Sequence, residues 1–404
     1  MAGKDLYEEL VKSYEFMLGR MPNHDRFKAA LKETLTEQDI RLIFLLPFIG
    51  EVPMEKFMKR AQEKLGIAPE ELEATVRRLV PEGFISSFLK TPKELVRQGE
   101  APYPQPAPLA DLRQPNRVVR RGEIISLLEL QVRKHEEDAM RNACAEYFNL
   151  MTEDAARSIP TRTPYFRVMP VEHTLTGKTV TEEIVVNVPI PDPREVLPID
   201  LLSEMLKREP IIALAECYCR RTKIIVGEPC EHPLQTCFYF NELALMQIET
   251  GRAQQITYDQ AMRILRECEQ AGLVHNASNC EGHLNVLCNC CTCSCGAMKS
   301  ILYGRRNASG PSRYVVAYDD TACSHCNDCA AACPIGVIHS NGSLTVEFEK
   351  CIGCGLCVSK CPTGSLKMEL RGKPPKIFKD WNTLQRQQIT EVVTGTIRKK
   401  LIGK

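Results

Sequence analysis

The sequence lacks several features that would assign it to a common functional class. No segment approaches 18 consecutive apolar residues, so the sequence predicts no membrane-spanning helix. The formal net charge is only +1, which provides no bulk electrostatic attraction to nucleic acid. A Walker A sequence is missing, and the Gly353-x-Gly355 pair lacks the strand, turn and helix of a dinucleotide site. Nucleotide binding is therefore not predicted.

Cysteine is nearly missing from the first half of the chain. Only Cys144 precedes residue 217, while the other 19 of the 20 cysteines lie within residues 217–361. The amino-terminal segment MAGKDLYEELVKSYEF is charged and helical in pattern, without the apolar region of a signal peptide, so we expect a cytoplasmic protein. In a reducing cytosol, such a concentration of thiols indicates metal or redox chemistry rather than disulfides.

Residues 1–100 have the pattern of a helical, winged-helix-like domain, with three helices followed by a strand. Thr36 and Asp39 have the spacing of a helix capping box. The third predicted helix, PEELEATVRRLV, carries three glutamates against two arginines, a poor match to a phosphate backbone. Protein contact or a structural role is therefore favoured, and DNA binding is the alternative.

The strongest signal is a cysteine motif that occurs twice. CSHCNDCAAACP and CIGCGLCVSKCP both have the form C-x2-C-x2-C-x3-C-P. In such a pair, three thiolates of one motif hold one 4Fe-4S cluster, and the fourth cysteine reaches the other cluster. The predicted ligands are Cys323, Cys326, Cys329 and Cys361 for cluster I, and Cys351, Cys354, Cys357 and Cys333 for cluster II. Zinc sites, the alternative, usually bring cysteines as isolated pairs. Residues 312–370 resemble the bacterial-type ferredoxin with two 4Fe-4S clusters.

Nine more cysteines upstream form a second candidate metal-binding region. They are Cys217, Cys219, Cys230, Cys237, Cys288, Cys290, Cys291, Cys293 and Cys295. Five of them fall within the eight residues CNCCTCSC, a spacing that suits local disulfides poorly. Two additional 4Fe-4S clusters, one cluster with spare thiols, or a zinc site remain open.

Alternation along an extended segment suggests how the CNCCTCSC thiols divide. Cys291, Cys293 and Cys295 would face one side of the strip, and Cys288 and Cys290 the other. One short strip could then serve two clusters. Arg220 and Arg221, beside Cys219, could offset the negative charge of a thiolate-bound cluster and raise its reduction potential.

Residues 196–370 as a whole resemble a family of 4Fe-4S dicluster ferredoxin-domain proteins from anaerobic bacteria and archaea. The matching features are CYCR, Cys230, Cys237, GLVH and CNCCTCSC, although Ser294 stands where the family often has another cysteine. The resemblance implies electron transfer without naming a substrate. His275 and His283 are expected to make ordinary hydrogen bonds, and Cys144, Cys268 and Cys280 to be buried or spare thiols.

We therefore predict an α+β, multidomain chain. Its parts are the helical domain 1–100, a Pro-rich linker 101–116, a helix and β-hairpin region 117–195, a central cysteine-rich α+β module 196–305, the ferredoxin fold 312–370, and a basic amphipathic tail 371–404. Apolar residues from Leu384 to Leu401 are expected near one face of a tail helix, which either docks on its own protein or serves as an arm for an acidic partner.

The predicted function is electron transfer, as a subunit that relays electrons between a low-potential donor and a partner oxidoreductase in anaerobic metabolism. The expected cofactors are the two ferredoxin clusters and one or two more in the central module. The partners are redox proteins, within a larger oxidoreductase complex. Two alternatives are an oxidoreductase whose central cluster binds substrate and a redox-sensing regulator that acts through the winged helix. We expect an electron-transfer subunit of an oxidoreductase complex rather than a stand-alone enzyme.

Overall fold

The computed structural model describes residues 5–18, 21–48, 50–89, 112, 117–153, 161–177, 191–305, 308–340 and 343–402. The chain mixes helices and several sheets, as the predicted α+β class requires. It divides into two compact units. The first contains Met1–Asp154 and Pro210–Ile256, and the second contains Ala155–Glu209 and Thr257–Lys404. Residues of the cysteine-rich module 196–305 therefore occur in both units.

Helices dominate the first unit. They are Leu6–Leu18, His24–Thr34, Glu37–Phe44, Met54–Leu65, Pro69–Leu79, Ile124–Val132, Ala139–Glu153, Tyr218–Ile225 and Asn241–Glu249. The predicted capping box is present, because the Asp39 amide donates to Thr36 Oγ1 at 3.2 Å and the Thr36 amide donates to Asp39 at 2.8 Å. The helix Met54–Leu65 ends at Gly66, which adopts the left-handed conformation.

Two antiparallel three-stranded arrangements complete the first unit. One has the order Val52–Pro53, Arg117–Arg121, Ile85–Leu89. The other has Ile212–Glu216 between Gln235–Phe240 and Ala253–Ile256. Its register places Ala215 opposite Cys237, so this arrangement brings the Cys217 region close to Cys237. The predicted Pro-rich linker lies almost wholly outside the described residues.

A four-stranded arrangement lies in the second unit. Its order is Ser309–Gly310, Phe166–Met169, Val274–Ser278, Val286–Cys290, with the first pair parallel and the other two antiparallel. The helices outside the ferredoxin segment are His173–Thr176, Leu202–Leu206, Tyr258–Gln270, Gly296–Leu302 and Trp381–Ile402. Short 3-10 turns occupy Pro193–Glu195, Pro198–Asp200 and Asp320–Ala322.

The β-hairpin predicted in the region 117–195 does not begin as a hairpin, because no second strand directly follows the strand Phe166–Met169 among the described residues. Residues His173–Thr176 form a short helix after the strand Phe166–Met169. The Val171 amide, just before this helix, donates to the Cys354 carbonyl at 2.9 Å. The remaining part of the hairpin, residues 178–190, lies outside the described residues.

The ferredoxin segment is built from two strand pairs and two short helices. Tyr314–Tyr318 pairs antiparallel with Leu366–Leu370, and Ile338–Ser340 pairs antiparallel with Leu344–Val346. The helices Asp328–Ala332 and Leu356–Ser359 each include the third cysteine of one motif. Between these elements lies a buried core that contains many of the motif cysteines.

The helix Trp381–Ile402 packs its first half against its own unit. The Trp381 and Tyr165 rings form a T-shaped pair with a centroid distance of 4.8 Å, and Leu384 is buried with Phe378 and Cys280. The predicted single apolar face is wrong, because Ile389 and Val393 are 43% and 50% exposed. At about 100° per residue they point away from Leu384. Among the described helices, none combines the length and the apolar character needed to cross a membrane.

Candidate metal centres

A cavity of about 340 Å³ in the ferredoxin segment is lined by Cys333, Cys351, Cys354 and Cys357. Its remaining walls are mostly apolar, and three of its cysteines are less than one tenth exposed. Burial raises the pKa of Cys354 to about 12, so binding a metal here requires release of the thiol proton. We call this cavity the cluster II site.

A second cavity, of about 300 Å³, is lined by Cys323, Cys326, Cys329 and Cys361, and we call it the cluster I site. Its surroundings are more polar and more exposed. Burial acts to raise the pKa of Cys361, but hydrogen bonds with Ser365 and Thr363 and with backbone amides outweigh burial and bring the pKa to about 7. This thiol therefore ionises readily.

The donor sets of both cavities fit a cubane cluster. Four thiols from two separate motifs face each cavity, which is the number that a 4Fe-4S cluster takes. Backbone amides already point at sulfur, since Gly353 donates to Cys351 and Val337 to Cys333, both at 3.4 Å. At Gly353 φ is +69°, and a Cβ would lie 2.1 Å from the Tyr314 carbonyl oxygen, so this loop requires glycine.

In the first unit, the thiols of Cys217, Cys219 and Cys237 meet, and we call them thiol site A. Cys217 follows the strand Ile212–Glu216 and caps the helix that contains Cys219, while Cys237 lies on the neighbouring strand. Hydrogen bonds with the Cys219 and Cys237 thiols, together with the Arg220 guanidinium, hold the pKa of Cys217 well below its usual value. All three side chains are buried.

In the second unit, Cys288, Cys290 and Cys295 meet, and we call them thiol site B. Contacts with Cys288 and Cys295, together with burial, raise the pKa of Cys290. Cys291 and Cys293 form a separate pair, with their sulfur atoms 3.0 Å apart. The predicted alternation is therefore wrong for Cys295. The strand ends at Cys290 and Cys295 caps the next helix, so an extended backbone no longer relates these positions.

His232 was not predicted as a candidate ligand. Its Nδ1 lies 3.2 Å from the sulfur of Cys230, and imidazole is a common metal ligand. The C-x-H spacing could have indicated it. His275 and His283 make hydrogen bonds as expected: His275 with Asn289 and Glu269, and His283 with Glu209.

The remaining cysteines and the two arginines also have clear positions. Cys144, Cys268 and Cys280 are buried outside the two thiol sites. Arg220 is only 1% exposed, whereas Arg221 is less deeply buried and lies 3.7 Å from a Glu216 oxygen. Of the two arginines predicted to offset cluster charge, Arg220 is the one buried beside thiol site A.

Comparisons with known proteins agree with the chemistry of these cavities. Residues 344–367 match the family described as a 4Fe-4S binding domain. Pyruvate synthase subunit PorD from Methanothermobacter marburgensis is 33% identical over 66 residues, which cover 16% of this chain and 79% of that protein. The formate dehydrogenase iron-sulfur subunit from Wolinella succinogenes is 44% identical over 48 residues, or 11% of this chain and 24% of the relative.

Electron transport protein HydN from Escherichia coli is 43% identical over 54 residues, which cover 13% of this chain and 31% of that protein. The chain thus spans less than half of the length of the last two relatives. No solved structure matches this chain. Because it carries a matching 4Fe-4S binding domain and covers most of a relative to which it is 33% identical, the chain belongs to the family of 4Fe-4S ferredoxin-domain proteins.

Proposed function

We propose that this chain is an iron–sulfur electron-transfer protein that relays electrons between a low-potential donor and a partner oxidoreductase. By name, two of its relatives are subunits of a synthase and of a dehydrogenase, and a third is an electron transport protein. Thiolate-bound clusters change oxidation state without a bound substrate, which suits a relay. Reduced thiols in this number suit a reducing compartment, and we propose the cytoplasm.

In this proposal the two ferredoxin cavities hold one 4Fe-4S cluster each. The ligands of cluster I are Cys323, Cys326, Cys329 and Cys361, and those of cluster II are Cys333, Cys351, Cys354 and Cys357. The support is that the members of each set line one cavity although each set draws on both motifs. The fourth cysteine of each motif thus serves the other motif's cluster.

We propose that electrons pass between cluster II and a metal centre at thiol site B. One observation supports this step. Cys290 and Cys295 share a single buried apolar core with Cys354, a ligand of cluster II. Ile352 belongs to this core and also lines the cluster II cavity. Packed, buried side chains therefore connect the two sites, an arrangement that suits electron transfer between metal centres.

Thiol site A is proposed to hold a further 4Fe-4S cluster in the first unit. Its three thiols are buried, and the Cys217 thiol contacts both of the others, which suits a metal centre better than isolated thiols would. The other thiols of the predicted central set are Cys230, Cys291 and Cys293. A chain with all these sites filled would hold four clusters.

The amino-terminal helices and the strand pair Ile85–Leu89 and Arg117–Arg121 are proposed to form the winged-helix-like domain, with a role in protein contact. The two arginines of its third predicted helix are already bound to carboxylates: Arg77 to Glu73 at 2.8 Å and Arg78 to Asp39 at 2.6 Å. Arginines neutralised in this way are poor phosphate ligands. The regulator that acts through DNA is therefore the weaker candidate.

The test is anaerobic reconstitution followed by iron and sulfide analysis and EPR. Four clusters predict about 16 iron atoms per chain, and about eight would contradict the central clusters. Replacing Cys288, Cys290 and Cys295 together by alanine should remove about four iron atoms and leave the ferredoxin signals. The variant Cys280→Ala, a buried thiol outside the sites, is the matched control and should keep all iron. Stoichiometric zinc would overturn the central iron–sulfur proposal.

A further inference from the structure

Arg133 is a buried cation that no sequence pattern connects with the cysteines. It follows the helix Ile124–Val132, far upstream of thiol site A in the sequence, and its side chain is only 1% exposed. A buried guanidinium is costly unless nearby groups offset its charge. The groups that contact Arg133 therefore indicate the role of its buried charge.

Arg133 contacts residues that lie next to the three cysteines of thiol site A. Its Nε donates to the Glu216 carbonyl at 2.7 Å, and its Nη2 donates to the Tyr239 hydroxyl at 2.8 Å. Its guanidinium carbon lies 5.5 Å from the centre of the Tyr218 ring. Glu216 precedes Cys217, Tyr218 separates Cys217 from Cys219, and Tyr239 lies two residues after Cys237 on the same strand. One cation thus touches the neighbours of all three thiols.

These strong hydrogen bonds of Arg133 go to neutral acceptors. Glu129 Oε2 is 3.6 Å from Arg133 Nη1, longer than a hydrogen bond, and Glu129 itself accepts from the Tyr239 hydroxyl at 2.8 Å. Arginine keeps its proton throughout the physiological pH range. The guanidinium therefore stays charged.

A second buried guanidinium lies on the same site. Arg220 Nη1 donates to the Pro233 carbonyl and to Thr236 Oγ1, both at 2.7 Å. Arg117, another buried arginine of the first unit, differs, because both of its terminal nitrogens bind the Glu249 carboxylate, at 2.7 and 3.0 Å. Both short contacts of Arg117 therefore lead to one carboxylate, whereas the short hydrogen bonds of Arg133 and Arg220 lead to groups that adjoin the cysteines of thiol site A.

We infer that Arg133 tunes the metal centre at thiol site A, with Arg220 beside it, by stabilising its negative charge and raising its reduction potential. This inference rests on the proposed cluster at that site. Gain of one electron makes a thiolate-bound cluster more negative by one unit. A fixed buried cation therefore stabilises the reduced form more than the oxidised form. The centre at thiol site A becomes an electron acceptor within the chain.

The test is an EPR-monitored redox titration of the full-length, reconstituted protein. In Arg133→Met, one midpoint potential should move to a more negative value while the others stay unchanged. Arg133→Lys keeps the charge and should move it less. Glu129→Gln removes a nearby negative charge and should move the same midpoint to a more positive value. The double variant Arg117→Met with Glu249→Gln removes a neutral ion pair, so it is the matched control and should shift no midpoint.

Iron analysis of the same samples separates the possible failures. Full iron with unshifted midpoints in Arg133→Met would overturn the inference and leave the proposed function standing. If Arg133→Met loses iron, the Glu129→Gln variant provides the test instead. An unshifted midpoint potential in Glu129→Gln would also overturn the inference. A wild-type protein with only about eight iron atoms would instead contradict the proposed central clusters.

Discussion

Cys333 belongs to the first cysteine motif by sequence, but its side chain lines the cluster II cavity. Replacing Cys333 by alanine should therefore change the EPR signal of the cluster held by Cys351, Cys354 and Cys357, because that cluster loses one of four thiolates. Cys361→Ala is the matched variant and should change the signal of the cluster I site. Should Cys333→Ala alter only the cluster I signal, the crossed assignment would be wrong.

The sequence predicts single residues well where their spacing along the chain is itself the signal. The motif cysteines can be grouped because three of them always lie within one loop. Arg133 could not be found in this way, since only the packing of its helix end against Glu216 and Tyr239 brings it to thiol site A. Long-range packing leaves no trace in local spacing.

For helices and strands, the predictions are correct where the determining residues lie close together in the sequence. The helix Glu37–Phe44 was predictable because Thr36 and Asp39 satisfy free amides within one turn. The grouping of Cys295 was not, because it depends on where one strand ends and the next helix begins. The position of the tail helix could be predicted from the sequence, but the side of the helix that is buried could not.

The helix Trp381–Ile402 depends on Glu391 for its attachment to its own unit. Although burial acts to raise the pKa of Glu391, hydrogen bonds from Gln387, Thr163 and the Arg162 amide outweigh burial and lower the pKa to about 2. Glu391→Gln should weaken this attachment by about 0.5–1 kcal/mol, since the carboxylate is partly exposed. Hydrogen exchange of the helix amides should become about two to five times faster.

The sign of the pH dependence follows from the lowered pKa. The contribution of Glu391 is fully present above its ordinary pKa of 4.5 and is lost as the pH falls from there to about 2. The difference between wild type and Glu391→Gln should therefore stay constant across the neutral range. Thr390→Ala is the control, because the Thr390 hydroxyl bonds the Arg386 carbonyl of the same helix. Equal exchange in wild type and Glu391→Gln would contradict the attachment.

For the whole molecule, the two ferredoxin sites differ in their exposure to solvent. Cys326 of the cluster I site is exposed, whereas Cys351, Cys354 and Cys357 of the cluster II site are 7%, 8% and 7% exposed. Cluster I should therefore be lost several times faster than cluster II when air is admitted, because oxygen reaches exposed thiolate ligands first. Time-resolved EPR of the two signals measures this order.

The variant Met368→Ala is the control for the predicted order of cluster loss in air. Met368 is fully buried and lines the cluster II cavity, so its truncation should speed the loss of cluster II alone. Equal rates for both clusters in the wild type would show that side-chain burial does not govern access of oxygen. If the predicted order holds, cluster I is the one that outside redox partners can reach, and cluster II passes electrons inward.

The pairing of Tyr314–Tyr318 with Leu366–Leu370 brings the entrance and the exit of the ferredoxin segment side by side, with Tyr314 opposite Leu370. A segment whose ends adjoin can be transplanted into another chain without stretching its host, as domain insertion generally requires. The ferredoxin segment therefore has the geometry of an insertable domain, which could add electron-transfer centres to another chain without changing the fold of that chain.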